Sequence, residues 1–221
     1  IKKVNKDVQL GFSFIIVWDN CEANNFEIIE NVDEMISATI LAKKSGFDYI
    51  SFKPFLERVD KNNAEVLGGI DNLNSESIQE IIQKNLSECK KHEDDNFKVI
   101  ESTNLRVFLN DTSENYKNQP KECHMQYFRH ILSPLGTYNC PVYRNVLTAK
   151  IGNMDAYSNI VELNKTKKQT WNLIHNFDAS KECKEVLCLY NDANWFIEEL
   201  INDPKQIETI PLSEEQYDFY Y

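Results

Sequence analysis

Apolar positions in the first half of the chain alternate between the repeat of a strand and the repeat of a helix. Residues 8–17 carry Leu10, Phe12, Phe14, Ile15, Ile16 and Val17. This nearly continuous apolar run has the length of a buried strand in a parallel sheet. A loop over Asp19, Asn20 and Cys21 follows. From 26 to 44, Ile28, Ile29, Val32, Met35, Ile36, Thr39 and Ile40 recur at helical spacing and predict a helix. Asn24 with Glu27 resembles a capping pair, and Gly46 suits the residue just past the last turn. Residues 47–52 predict a second short strand, ended by Lys53-Pro54. Strand, crossover helix and strand make a right-handed parallel βαβ unit.

A loop of about 20 residues comes next, long enough to be functional in a compact domain. Ile78, Ile81, Ile82, Leu86 and Cys89 form one stripe of a helix over 75–91, so Cys89 belongs to a core face. Residues 97–109 predict one strand or two (98–100 and 105–109). The stretch 110–119 is polar and without periodicity. The chain therefore divides into an α/β part over 1–110, a linker over 111–122 and a small α+β domain over 123–221.

In that second part, 127–132 predicts a strand, Ser133-Pro134-Leu135-Gly136 a turn, and 137–140 the returning strand of a hairpin. Pro presets φ at the second turn position, and Gly tolerates positive φ at the fourth. Residues 142–151 predict extended chain or loop up to Gly152. A short helix is predicted over 168–176, a turn at 183–188, and a helix over 191–202 with Trp195, Phe196, Leu200 and Ile201. The tail from Pro204 is acidic and ends in Tyr217, Phe219, Tyr220 and Tyr221.

Composition narrows the function classes. Acidic residues outnumber basic ones 35 to 24, for a net charge of -11, which disfavours nonspecific binding to nucleic acid. No apolar run reaches the length of a membrane helix, and no leader with a long apolar core is visible. These features predict a cytoplasmic chain that binds no membrane. The first residue is Ile, which is read as the start of a piece of a longer parent. No Gly-x-Ser-x-Gly elbow, phosphate-binding Gly-rich loop or dinucleotide fingerprint occurs.

Six cysteines remain as the candidate chemistry. The pattern is Cys123-x16-Cys140, then 42 residues, then Cys183-x4-Cys188. Thiolates are soft ligands that select zinc, copper(I) or iron–sulfur clusters. Two pairs brought together by a hairpin and a later turn suit a tetrahedral zinc or a cubane cluster. Buried free thiols are the plain alternative. Cys21 is read as a loop thiol. His124 adjoins Cys123, but four cysteines suffice without it. His92, His130 and His175 are read as ordinary histidines.

The run Arg-His-Ile-Leu-Ser-Pro-Leu-Gly-Thr-Tyr-Asn-Cys-Pro, with Cys123, Gly136, Cys140 and the later Lys150-Ile151-Gly152-Asn153, resembles the C-terminal extension of radical S-adenosylmethionine enzymes. That extension is called SPASM in its long form and twitch in its short form. Its opening motif is cysteine, nine to fifteen residues, glycine, four residues, cysteine. Here the last gap is three. The resemblance implies one auxiliary [4Fe-4S] cluster held by Cys123, Cys140, Cys183 and Cys188. Upstream, LGFSFIIVWDN and LAKKSGFDYISFKP are similar to the last two β/α units of the family's partial barrel. Lys53 and Glu57 would then face the barrel mouth. The implied fold is thus partial β/α barrel units followed by a small cysteine-rich α+β domain.

The family's CxxxCxxC loop is absent, as is any Gly-Gly-Glu-Pro-like motif. The chain alone is therefore not expected to make the radical. S-adenosylmethionine and a second [4Fe-4S] cluster would belong to a full-length parent that supplies the missing N-terminal strands. The implied partners are an unidentified substrate and an electron donor protein. The alternative reading is a noncatalytic, zinc-stabilised α/β module that binds a protein partner.

Overall fold

The computed structural model describes residues 8–18, 21–23, 26–58, 64–67 and 75–210. The chain is mixed α/β, and its described residues divide into two units: those within 8–57 and 67–112, and those within 58–66 and 113–210. The described strands form small parallel and antiparallel sheets and no closed barrel. Among the described residues, no helix is long and apolar enough to cross a membrane.

The first unit is built on a parallel sheet. Its elements begin with β1 (Gly11–Ile16), a two-strand ribbon β2 (Cys21–Ala23) and β3 (Phe26–Ile28), then helix α1 (Met35–Lys44) and β4 (Tyr49–Pro54). In chain order the short strands β5 (Leu56–Arg58) and β6 (Glu65–Leu67) follow, and the first unit goes on with helix α2 (Ser75–Lys90), β7 (Lys98–Glu101) and helix α3 (Thr103–Leu109). The sheet order is β1-β4-β7, with Phe12 opposite Ile50 and Ile50 opposite Val99. The expected βαβ unit is therefore present, and α2 makes a second one.

Helix α1 packs on β1 and β4, and α2 packs on α1 and β7. Ile16, Met35, Ile50, Phe52, Ile82 and Cys89 are fully buried between them. Trp18 stacks on Phe108 with ring centroids 4.7 Å apart and meets Phe55 at 4.9 Å. Asn31 completes the edge of β1 as a strand residue would. Its Oδ1 accepts from the Val17 amide at 2.8 Å, and its Nδ2 donates to the Ile15 carbonyl at 3.0 Å.

Several expectations fail here for physical reasons. The helix expected from residue 26 starts at Met35, after a 3-10 turn over Val32–Glu34. Ile28, counted on its stripe, lies instead in β3, because three residues of ribbon pairing capture that segment. Cys21, read as a loop residue, opens β2. Asn24 of the expected capping pair lies outside the described residues. The expected second strand at 105–109 is α3. Its start is capped by Ser102, whose hydroxyl accepts from the Leu105 amide at 3.3 Å. Lys53 lies in β4 and Glu57 in β5. Gly46 ends α1 at φ +82° as expected.

The second unit holds helix α4 (Ser113–Lys117), a 3-10 turn over His124–Tyr127, and strands β8 (Ile131–Ser133), β9 (Gly136–Tyr138) and β10 (Lys150–Gly152). Helices α5 (Ile160–Asn176), α6 (Ala179–Glu182) and α7 (Asn191–Asn202) follow. The hairpin closes as expected, with Ser133 opposite Gly136 and Gly136 at φ +141°. Its first strand is shorter than expected, since 124–127 coils into the 3-10 turn. The segment read as extended chain or loop ends in β10, which pairs antiparallel with β9 and makes the sheet three-stranded. Helix α5 begins at Ile160 rather than 168. Asn159 caps it, its Oδ1 accepting from the amides of Val161 and Glu162 at 2.9 and 3.1 Å. It seats on β10 at Gly152, where a Cβ would stand 2.7 Å from the Ala156 Cβ. Helix α7 spans the expected residues.

Candidate metal centre

The cysteines of the second unit arrive from three separate segments. Cys123 stands at the start of the 3-10 turn over His124–Tyr127, Cys140 just beyond β9, and Cys183 and Cys188 in the turn between α6 and α7. β9 ends at Tyr138; the Asn139 amide still donates to the Ala149 carbonyl at 3.2 Å, and Pro141, which has no amide to give, follows Cys140. The α6–α7 connection is held by the Cys183 amide on the Ala179 carbonyl at 3.0 Å and the Asn191 amide on the Cys188 carbonyl at 3.0 Å.

All four cysteines belong to one apolar cluster. Its buried members are Ala64, Tyr143, Ala149, Ala179, Cys183 and Val186, with Cys123, Cys140 and Cys188 packed against them. None of these cysteines is in a disulfide. Burial raises the pKa of every one of the four, and neighbouring thiols raise those of Cys123, Cys183 and Cys188 further. Cys188 is pushed up to about 12 by desolvation first and then by Cys123 and Cys140. Cys183 is raised by burial and by the charges of Cys140, Cys188 and Cys123.

Polar groups nevertheless point at the sulfurs. Backbone amides two or three residues ahead reach three of them: Gln126 to Cys123, Val142 and Tyr143 to Cys140, and Tyr190 to Cys188. The Asn194 Nδ2 lies 3.9 Å from the Cys123 Sγ, while its Oδ1 accepts from the Met125 amide at 3.2 Å. The Tyr143 hydroxyl donates to the Glu182 carbonyl at 2.6 Å and lies within hydrogen-bond reach of Cys183. Arg129 hydrogen-bonds Cys140 and sends its positive charge toward Cys123 and Cys188. Its guanidinium sits 3.7 Å above the Tyr190 ring.

As the side chains stand, no group of three or more His, Cys, Asp or Glu among the described residues is arranged so that it could hold a metal ion. The thiols are neighbours, each within electrostatic reach of another, rather than a closed coordination shell. The donor chemistry itself fits a soft metal or a cluster. Four soft donors are gathered, and N–H groups are aimed at sulfur where a thiolate would accept them. A bound cation would reverse the raised pKa values, since a coordinating thiol is deprotonated outright.

The other candidates lie apart from the thiol pocket or have other partners. Buried His124 pairs its Nε2 with Glu198 Oε2 at 2.7 Å. His130 meets the Tyr157 hydroxyl, and His175 the Trp171 carbonyl at 2.8 Å. Cys89 is fully buried in the first unit, as its helical stripe required. Sequence reading missed Arg129, Tyr143, Tyr190 and Asn194. The aromatic residues two or three places after Cys140 and Cys188 were a signal for the two tyrosines. Nothing local marked Arg129 or Asn194.

The chain matches no protein-family model, no curated protein and no solved structure among those it was compared with.

Proposed function

We propose that Cys123, Cys140, Cys183 and Cys188 hold one [4Fe-4S] cluster, and that the chain is the C-terminal portion of a radical S-adenosylmethionine enzyme in which this cluster is auxiliary. One observation carries the reading: four free thiols from three segments pack in one apolar cluster, and three of them receive backbone N–H groups. The two parallel β–α–β units of the first half support the barrel side of the reading. Under it they are the last units of a partial barrel, and the second unit is a twitch-like domain. The parent would supply the first strands, the CxxxCxxC loop, S-adenosylmethionine and its own cluster.

When bound, such a cluster supplies a one-electron redox centre whose potential depends on charge, hydrogen bonds and exposure. The chain's own residues then have defined tasks. Arg129 offsets negative charge on the thiolates. The amides of Gln126, Val142, Tyr143 and Tyr190 fix sulfur orientation. Val186, Ala149 and Ala179 keep water out.

Anaerobic purification followed by a visible spectrum and assays for iron, sulfide and zinc tests the proposal. The expected result is brown protein with about four irons and four sulfides per chain. Cys183→Ser should lose the metal and Cys89→Ser should keep it. Colourless protein with one zinc would overturn the cluster and favour the zinc-stabilised module. Metal-free protein would overturn both.

A further inference from the structure

We propose that the cavity beside Cys140 binds a short neutral carbohydrate. The cavity has a volume of about 790 Å³, within the range of small-molecule sites, and lies wholly in the second unit.

Gln126 is the observation that points to a ligand. It comes from the 3-10 turn over His124–Tyr127 and is 3% exposed. Its side-chain amide makes no hydrogen bond among the described residues, yet it is not sealed from solvent as the Asn139 amide is. For so buried a residue, that access runs through the cavity it lines. The Gln126 amide therefore presents free donors and a free acceptor to whatever occupies the space. An apolar occupant would cover it without pairing it, which is unfavourable.

The opposite polar lining comes from α5. Gln169, Asn172 and Asn176 recur at helical spacing on one face of that helix. The Gln169 and Asn172 amides make no side-chain hydrogen bond among the described residues. Asn176 spends its Nδ2 on the Asn172 carbonyl at 2.7 Å and keeps its Oδ1 to offer. Seven residues of helix spread these groups over about 10 Å, with Gln126 on a separate segment. A ligand that pairs them needs groups that both donate and accept, distributed along its length. A hydroxyl does both and rotates to suit its partner. A chain of sugar rings carries hydroxyls all round its rim.

Charge and ring geometry exclude the other classes. Lys150 and Glu182 contribute one charge of each sign to the lining, and the Lys150 Nζ donates to the Leu135 carbonyl at 3.1 Å. The cavity thus holds no excess of positive charge for a phosphate or carboxylate. Its two aromatic residues, Tyr143 and Phe177, stand at 80° to each other with ring centroids 6.3 Å apart. They form no pair of parallel faces to sandwich a nucleobase. The site is read from amides and rings alone, so it stands or falls separately from the metal centre.

Ligand-observed NMR on the whole chain, with maltose, cellobiose and lactose as probes, tests the proposal. Adenosine, N-acetylglycine N-methylamide and gluconate are the base, peptide and anion controls. The expected result is saturation transfer to at least one disaccharide, with each control bound more weakly. Asn172→Ala should weaken that disaccharide by about fivefold and Gln126→Leu by about tenfold, each through a lost hydrogen bond. Asn172 is exposed on its helix, so its variant decides the matter if Gln126→Leu fails to fold. No saturation transfer to any of the disaccharides, a control bound as tightly as the best of them, or affinity unchanged by Asn172→Ala would overturn the proposal.

Discussion

Holding Cys188 as a buried neutral thiol ties the stability of the metal-free chain to alkaline pH. Its pKa rises from 9.0 to about 12, with desolvation as the first cause and the Cys123 and Cys140 charges adding to it. The Tyr190 amide and the Arg129 charge oppose the rise. The folded state keeps a proton that the unfolded chain gives up from pH 9 upward. The contribution is therefore whole below pH 9 and is lost as pH climbs toward 12. One pKa unit corresponds to about 1.4 kcal/mol, so the full span is at most about 4 kcal/mol. The same relation gives a loss of about 1.4 kcal/mol by pH 10 and about 2.7 kcal/mol by pH 11. Urea unfolding followed by tryptophan fluorescence, with chelator and reductant present, should be run from pH 8 to pH 11 on the wild type and Cys188→Ala. The packing lost in the variant is a constant offset. The stability difference between the two should shrink with pH by the stated amounts. A difference that stays flat over this range would refute the reasoning that burial keeps this thiol protonated.

Further outcomes follow from local geometry. Gly152→Ala should destabilise the second unit by about 1–3 kcal/mol in the same urea assay, because its Cβ would meet the Ala156 Cβ at 2.7 Å and the Thr166 Oγ1 at 2.9 Å. Asn159→Ala removes the two amide bonds at the start of α5 and should cost about 0.5–2 kcal/mol, with Asn159→Asp restoring most of it. Gly46→Ala should cost about 1–2 kcal/mol in the first unit, through its φ of +82° alone, since nothing lies within 4 Å of the added carbon. Equal stability of the wild type and Gly46→Ala in hydrogen-exchange protection of α1 would count against that assignment.

Much of the architecture was legible because it is local. The stripe of Ile82, Leu86 and Cys89 gave α2, and the apolar run at 10–17 with 47–52 gave a parallel βαβ unit. Pro134 and Gly136 gave the hairpin, and the periodicity around Trp195 and Phe196 gave α7. The errors came where two local rules competed. Ile28 fits a helical stripe, yet ribbon pairing with Cys21 decides its state. Leu105 and Val107 favour a strand, yet the Ser102 cap starts a helix there.

The sequence alone grouped Cys123 with Cys140 and Cys183 with Cys188 as candidates, and placed Cys89 on a helix face. Only the tertiary structure decided that Cys123, Cys140, Cys183 and Cys188 pack in one apolar cluster, and that Arg129, Tyr143 and Asn194 attend them. It alone made β10 the third strand, set α5 against Gly152 and left the Gln126 amide unpaired in a cavity wall. The reason is one of range. Side-chain periodicity reports which face of an element is apolar, over a few residues. Which faces then meet, across tens of residues, is settled by packing and by the hydrogen bonds that buried polar groups require.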